Sequence, residues 1–140
     1  MRVWIDLANS PHPLLFAPIA ADLEAGGDEV AVTYRDHAQT AELTLERWPA
    51  AVPIGRPSPP GRAAKARAIA GRVGQLRAWA RRERPDVALS HNSYAQVLAA
   101  RSLGIPAVTA MDYEHQPANH VAFRGARRIL LPVAIPPAAV

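Results

Sequence analysis

The sequence predicts a doubly wound α/β domain, a parallel sheet of about six strands with helices on both faces. Three observations carry that prediction. Short apolar runs alternate with stretches of helical periodicity along the chain, Gly, Pro or small polar residues punctuate the junctions, and the chemically capable side chains collect just after the strand runs. Strands buried on both faces read as near-continuous apolar runs, and parallel neighbours need a crossover between them, usually a helix.

Residues 3–7 form an apolar run broken only by Asp6, followed by the turn formers Ala8-Asn9-Ser10-Pro11-His12-Pro13, a buried strand and its loop. Over 14–25, Leu15, Ile19 and Leu23 recur at helical spacing, and Gly26-Gly27 supplies the left-handed stop on which helices commonly end. A second strand at 29–34, a helix at 36–47 with Asp36 as its N-cap, and a short third strand at 51–54 repeat the unit. The Pro-rich loop 55–61 leads into a long helix at 62–84, closed by Pro85. Strand 86–90, helix 93–103 stopped by Gly104, strand 105–111, a short helix at 118–124 and a sixth strand at 128–131 complete the pattern. Residues 1–132 are read as one domain, and the Pro/Ala-rich 133–140 as the start of an interdomain linker or tail.

At 140 residues such a domain buries about two-thirds of its unfolded surface, so a sizeable core is available. The chain has no Cys, which excludes disulfides, thiolate metal sites and a cysteine nucleophile. No apolar run approaches the roughly 18 to 20 residues of a membrane span, and Met1-Arg2-Val3-Trp4 enters a strand pattern instead of a signal peptide, so a cytoplasmic protein is expected.

The formal charge is +4, and every basic residue except Lys65 is Arg. With the abundance of Ala and Pro, that skew reads as codon composition more than a binding signature. The long helix concentrates Arg62, Lys65, Arg67, Arg72, Arg77, Arg81, Arg82 and Arg84 against Glu83 alone. Ile69, Val73, Leu76 and Ala80 fall on one stripe with Arg67, Arg81 and Arg82 facing away, the pattern of a solvated amphipathic helix. No aromatics interleave to stack on bases, so no nucleic-acid partner is expected. A weak peripheral contact with an anionic membrane stays open as the other reading of that face.

In an open parallel sheet, ligands bind beyond the carboxyl ends of the strands, where strand order reverses. Under the order 3-2-1-4-5-6, the loops after the first and fourth strands meet there and bring His12 close to His91 and Asn92. Four of the five histidines, His12, His91, His115 and His120, lie in or just beyond such post-strand segments. Asn9 and Ser10 read equally as helix caps or ligand contacts, and Ser93 more readily as an N-cap. Asp6 reads as a structural hydrogen-bonding group. Asp112, Glu114, His115 and His120 fit no standard helical pair of metal ligands, so no metal is assigned. Neither GxGxxG, GxxxxGK[ST] nor GxSxG occurs, and a polar Asn-Ser-Pro-His turn replaces the glycine-rich phosphate loop, which points to recognition by side chains, as for a sugar or polar headgroup.

Three stretches resemble a known family: residues 2–12 (RVWIDLANSPH), 84–93 (RPDVALSHNS), and 104–106 with 111–119 (GIP and MDYEHQPAN). They look like a bacterial and archaeal family of unknown function, predicted to be glycosyltransferase-like with the GT-B fold. That family is related to the non-hydrolysing UDP-N-acetylglucosamine 2-epimerases and to the peptidoglycan N-acetylglucosaminyltransferase. The resemblance implies a Rossmann-like, acceptor-side amino-terminal domain, with the carboxy-terminal domain that holds a UDP-sugar donor absent. It implies no cofactor within this domain and a sugar or glycolipid acceptor as partner. Carried over residue by residue, it makes His91, Glu114 and His115 the catalytic candidates. Asn9, Ser10, His12, Asn92, Ser93, Asp112, Tyr113 and Asn119 become the substrate-binding candidates. The alternatives are an epimerase-like enzyme and a truncated, non-catalytic module that binds a sugar or a partner domain.

Overall fold

A computed structural model describes residues 1–57, 60–112 and 119–135, and the side chain of Arg62 lies outside that description. The elements run β1 (Arg2–Leu7), α1 (His12–Ala25), β2 (Glu29–Tyr34), α2 (Thr40–Arg47), β3 (Val52–Pro53), α3 (Arg62–Glu83), β4 (Val87–His91), α4 (Tyr94–Arg101), β5 (Ala107–Ala110), α5 (Asn119–Gly125) and β6 (Arg128–Leu130). All the strand pairs are parallel, as the sequence predicts, and the sheet order is β3-β2-β1-β4-β5-β6, the order on which the switch-point reasoning was conditional.

The alternation of side chains along β1 explains how both faces are covered. Val3, Ile5 and Leu7 join Phe16, Ala20, Val32, Tyr34 and Trp48 in the core beneath α1 and α2. Trp4 points the other way, into a core with Leu76, Trp79, Ala80, Ala88 and Val97 beneath α3 and α4. The Trp4 and Trp79 rings lie 5.2 Å apart and tilted by 42°. Gln96 ties α4 to the sheet by donating from Nε2 to the carbonyls of Trp4 (2.9 Å) and Leu89 (3.3 Å).

Several element ends differ from expectation. The second helix begins at Thr40, not at 36, and Asp36 does not cap it. Ala38 adopts φ +49°, a left-handed conformation that no helix can propagate through, and the Asp36 amide donates instead to the Gly55 carbonyl. The fourth strand extends by one residue to His91, placing that imidazole on the last rung of the sheet. The long helix closes with Arg84 in the left-handed region, φ +50°. Ile69, assigned to the buried stripe, is 42% exposed at the edge of a cleft. Arg67, Arg81 and Arg82 face solvent as expected. Among the described residues, no helix is long and apolar enough to cross a membrane.

Candidate functional site

The carboxyl ends of the strands open into a cleft of about 940 Å³. The segments after β1, β2, β3, β4 and β5 all contribute to its wall, together with one face of α3. Asp6 forms its foundation. Being next to last in β1, Asp6 shares the sheet face of Trp4, is fully buried, and meets Arg72 arriving from α3. Arg72 Nη2 donates to both carboxylate oxygens, at 2.8 and 3.0 Å. Thr33 Oγ1 and Ser93 Oγ donate to the same carboxylate, at 2.7 and 2.5 Å, and Trp4 Nε1 donates to Thr33 Oγ1 at 2.8 Å. Arg72 also donates from Nε to the Ile54 carbonyl and from Nη1 to Ser93 Oγ. The network therefore fastens β1, β2, the segment after β3 and the N-cap of α4 to α3, with the buried charge both paired and hydrogen-bonded.

Gly55 makes room for that arginine. Its φ is +94°, and a Cβ there would lie 2.7 Å from Arg72 Cδ. Sequence reasoning counted Arg72 among the basic residues of the long helix without assigning it a face, and missed its role. The available signal was its position on the apolar stripe itself, three residues after Ile69 and four before Leu76, opposite a lone acid in a buried strand.

His12 and His91 come together above this layer, as the switch-point reasoning expects, with ring centroids 4.9 Å apart. His12 is buried, and its Nδ1 accepts the Ala8 amide at 3.1 Å, which leaves the neutral ring's proton on Nε2. Burial, aided by the neighbouring His91, pushes the His12 pKa down to about 4, against weaker upward pulls from Asp6 and Asp112. His91 is less enclosed, with 14% of its side chain exposed, and its Nε2 lies 3.5 Å from Asp112 Oδ1. An imidazole so placed can take a proton on its other nitrogen while the carboxylate faces the cation that forms.

Asn92 sits at φ +52° beside them and donates from Nδ2 to Asn119 Oδ1 at 3.1 Å. Tyr94 reaches the same oxygen with its hydroxyl, at 3.4 Å. The Oδ1 of Asn92 is buried with no hydrogen-bond partner among the described residues. Burial raises the pKa of Tyr94, which keeps its phenol protonated as a donor.

Asn9, His12, His91, Asn92, Ser93 and Asp112 all line the cleft, whereas Ser10 and Asn119 do not. Asn119 is buried behind Asn92 as its hydrogen-bonding support. Neither Asn9 nor Ser10 caps α1 with its side chain; the helix opens on Pro11, and the Asn9 carbonyl accepts the His12 amide. Ser93 does cap α4, accepting the Gln96 amide while bonded to Asp6. Tyr113, Glu114 and His115 lie outside the described residues, and His120 is exposed on α5 away from the cleft. Among the described residues, no three His, Asp or Glu side chains form a metal-binding group.

Sequence and structure comparisons fit this architecture. A family model described as Protein of unknown function (DUF354) matches residues 1–139. The uncharacterized protein MJ0665 of Methanocaldococcus jannaschii is 32% identical over 137 residues, covering 96% of this chain and 39% of that protein. MurG of Acinetobacter baumannii superposes with a TM-score of 0.77 at 16% identity, over 96% of this chain and 42% of its own. The UDP-GlcNAc 2-epimerase of M. jannaschii gives 0.70 at 15% identity, over 95% and 40%. The chain thus spans about two-fifths of the length of each of these three proteins. It belongs to the DUF354 family of unknown function, and its fold is that of the amino-terminal domain of GT-B glycosyltransferases and UDP-GlcNAc 2-epimerases.

Proposed function

We propose that this chain is the acceptor-side domain of a glycosyltransferase-like protein that uses a nucleotide-sugar donor. The observation that carries the reading is the placement of His91. It stands at the end of β4, on the switch point, paired with Asp112, packed on a neutral His12 and open to the cleft. In the proposed step an acceptor hydroxyl gives its proton to the free nitrogen of His91 as its oxygen bonds the anomeric carbon. The nucleoside diphosphate leaves with the electron pair of the broken glycosyl bond. Asp112 favours the resulting imidazolium, and Asn92 and the exposed Asn9, both in the lining of the cleft, orient the sugar. Glu114 and His115, in the segment after β5, remain proposed partners in that proton transfer. The donor's nucleotide is assigned to the part of the relatives' length that this chain does not cover.

An epimerase reading draws on the same fold similarity and differs in the group deprotonated, a carbon acid instead of a hydroxyl. Two measurements test the proposal. Isothermal titration of full-length MJ0665 with UDP-sugars should show binding, and assay of the products separates transfer from epimerisation. Titration of this chain with N-acetylglucosamine, followed by NMR, should move signals of Asn9, His91 and Asn92 and lose the response in His91→Ala. An absence of UDP-sugar binding by the relative, together with an unchanged response in His91→Ala, would sink the assignment.

A further inference from the structure

The cleft divides by charge. On the β4–β5 side stand His12, His91, Asn92 and Asp112, the groups given to the reaction above. On the β2–β3 side the wall is cationic: Arg35 follows β2, Arg56 follows β3, and Lys65 rises from the first turn of α3. Asp112, across the cleft beside His91, is the lone acid among the described residues that line it. Asp6 is already committed to Arg72 and lies beneath the surface.

Arg56 and Lys65 are exposed, and neither side chain has an acidic partner among the described residues. Arg35 is held beside them, donating from Nε to the Arg56 carbonyl at 3.4 Å. Burial and, after it, the charge of Arg72 lower the pKa of Arg35. The exposed cations Arg56 and Lys65, with the one acid of the described lining on the opposite wall, make this wall electropositive, and an anion would relieve that potential. Three elements converging on one wall with separate cations suit a dianion better than a single carboxylate, for which one arginine fork is enough.

We infer that Arg35, Arg56 and Lys65 form a subsite for a phosphate or diphosphate group. On the reading above, on which this assignment of the ligand rests, that group belongs to the acceptor, which is therefore a phosphorylated sugar and not a neutral one. The phosphate anchors at the β2–β3 wall and the hydroxyl to be glycosylated reaches across to His91. A soluble sugar phosphate and a lipid-linked sugar phosphate present the same anion to this wall.

The test is calorimetric and NMR titration of the chain with inorganic phosphate, pyrophosphate and acetate, in parallel with Arg56→Gln/Lys65→Gln and with Arg81→Gln/Arg82→Gln, whose arginines lie on the outer part of α3. Pyrophosphate should bind more tightly than acetate and weaken steeply with salt. It should lose at least tenfold in affinity in Arg56→Gln/Lys65→Gln, with the His91 and Asn92 signals still responding to N-acetylglucosamine, and should be unaffected in Arg81→Gln/Arg82→Gln. Comparing glucose 1-phosphate with a polyprenyl phosphate in micelles separates the two sources, and tight binding of either supports the subsite. Equal affinity for acetate and pyrophosphate, or an equal loss in both variants, overturns it. Pyrophosphate binding at Arg56 and Lys65 without UDP-sugar binding by the full-length relative would leave the anion subsite standing and remove the glycosyltransferase reading.

Discussion

Replacing Arg72 by Met is the most informative single perturbation of this fold. The substitution keeps most of the aliphatic bulk of a side chain that is 8% exposed and removes only the charge and its donors. Asp6, at 0% exposure, would retain the hydroxyls of Thr33 and Ser93 but lose its counter-charge. Breaking one half of a buried ion pair costs about 3 to 5 kcal/mol, because the survivor is stranded in a poorly solvating interior. Unfolding entropy of about 2.1 cal/mol/K per residue gives roughly 0.3 kcal/mol/K for 140 residues, so the midpoint should fall by about 10 to 17 °C. Thermal melts read the midpoint and urea unfolding the free energy, both followed by far-UV circular dichroism and tryptophan fluorescence, since Trp4 is linked to Asp6 through Thr33. Asp6→Asn should cost less, because Arg72 keeps the Ile54 carbonyl and Ser93 as acceptors. The double variant should be less destabilised than the sum of the two by about 2 kcal/mol or more, the mark of direct coupling. A loss under about 1 kcal/mol in Arg72→Met, or additive single effects, would refute the claim that this pair locks the sheet to α3.

Two further perturbations bear on the same region. Gly55→Ala places a Cβ 2.7 Å from Arg72 Cδ at a φ of +94°, and should destabilise by about 1 to 3 kcal/mol, measured by the same unfolding experiment. Its cost should shrink in an Arg72→Met background, where the obstructing side chain is more flexible. His12 titrates near 4 in the folded chain against 6.5 when unfolded, so the unfolded state binds more protons between those values. Stability contributed by the neutral ring is present above about pH 6.5 and is lost as pH falls toward 4, by up to about 3 kcal/mol. His12→Asn, whose Oδ1 can take over the Ala8 amide, should flatten that acid limb in thermal melts between pH 4 and 7. A limb of unchanged steepness would assign the effect to another group.

The fold was largely legible because each strand announces itself as an apolar run and each crossover as a periodic segment; the sheet order entered the sequence reading only as a condition, because several doubly wound orders satisfy the right-handed crossover rule, and the structure supplies it. Element ends were less so. Ala38 carries no sequence mark of its left-handed backbone, and the Asp36 amide is satisfied by Gly55, a partner remote in sequence. The switch-point rule found His12, His91 and Asn92, which share one corner of the cleft because β1 and β4 are adjacent rungs of the sheet. Neither that rule nor the family resemblance, which contributed Asn119, distinguishes a residue that faces the cleft from one that does not, which is why Asn119 and Ser10 were grouped with Asn9.

The arginines show where composition misleads. Discounting the basic charge as a uniform bias left Arg72 undistinguished from the solvated Arg67 and Arg81 of the same helix. The structure separates them by what lies opposite. Arg67 and Arg81 meet water, whereas Arg72 meets a carboxylate that β1 could not bury alone. The same test distinguishes Arg56 and Lys65 from the bulk of the surface charge. They face a cleft, neither has an acidic partner among the described residues, and the one acid among the described residues of the lining belongs to the opposite wall. A cation matched by a buried acid is spent on the fold, whereas these two are left for a ligand. On that criterion the basic character of this chain, uninformative as a net charge, becomes informative at two positions.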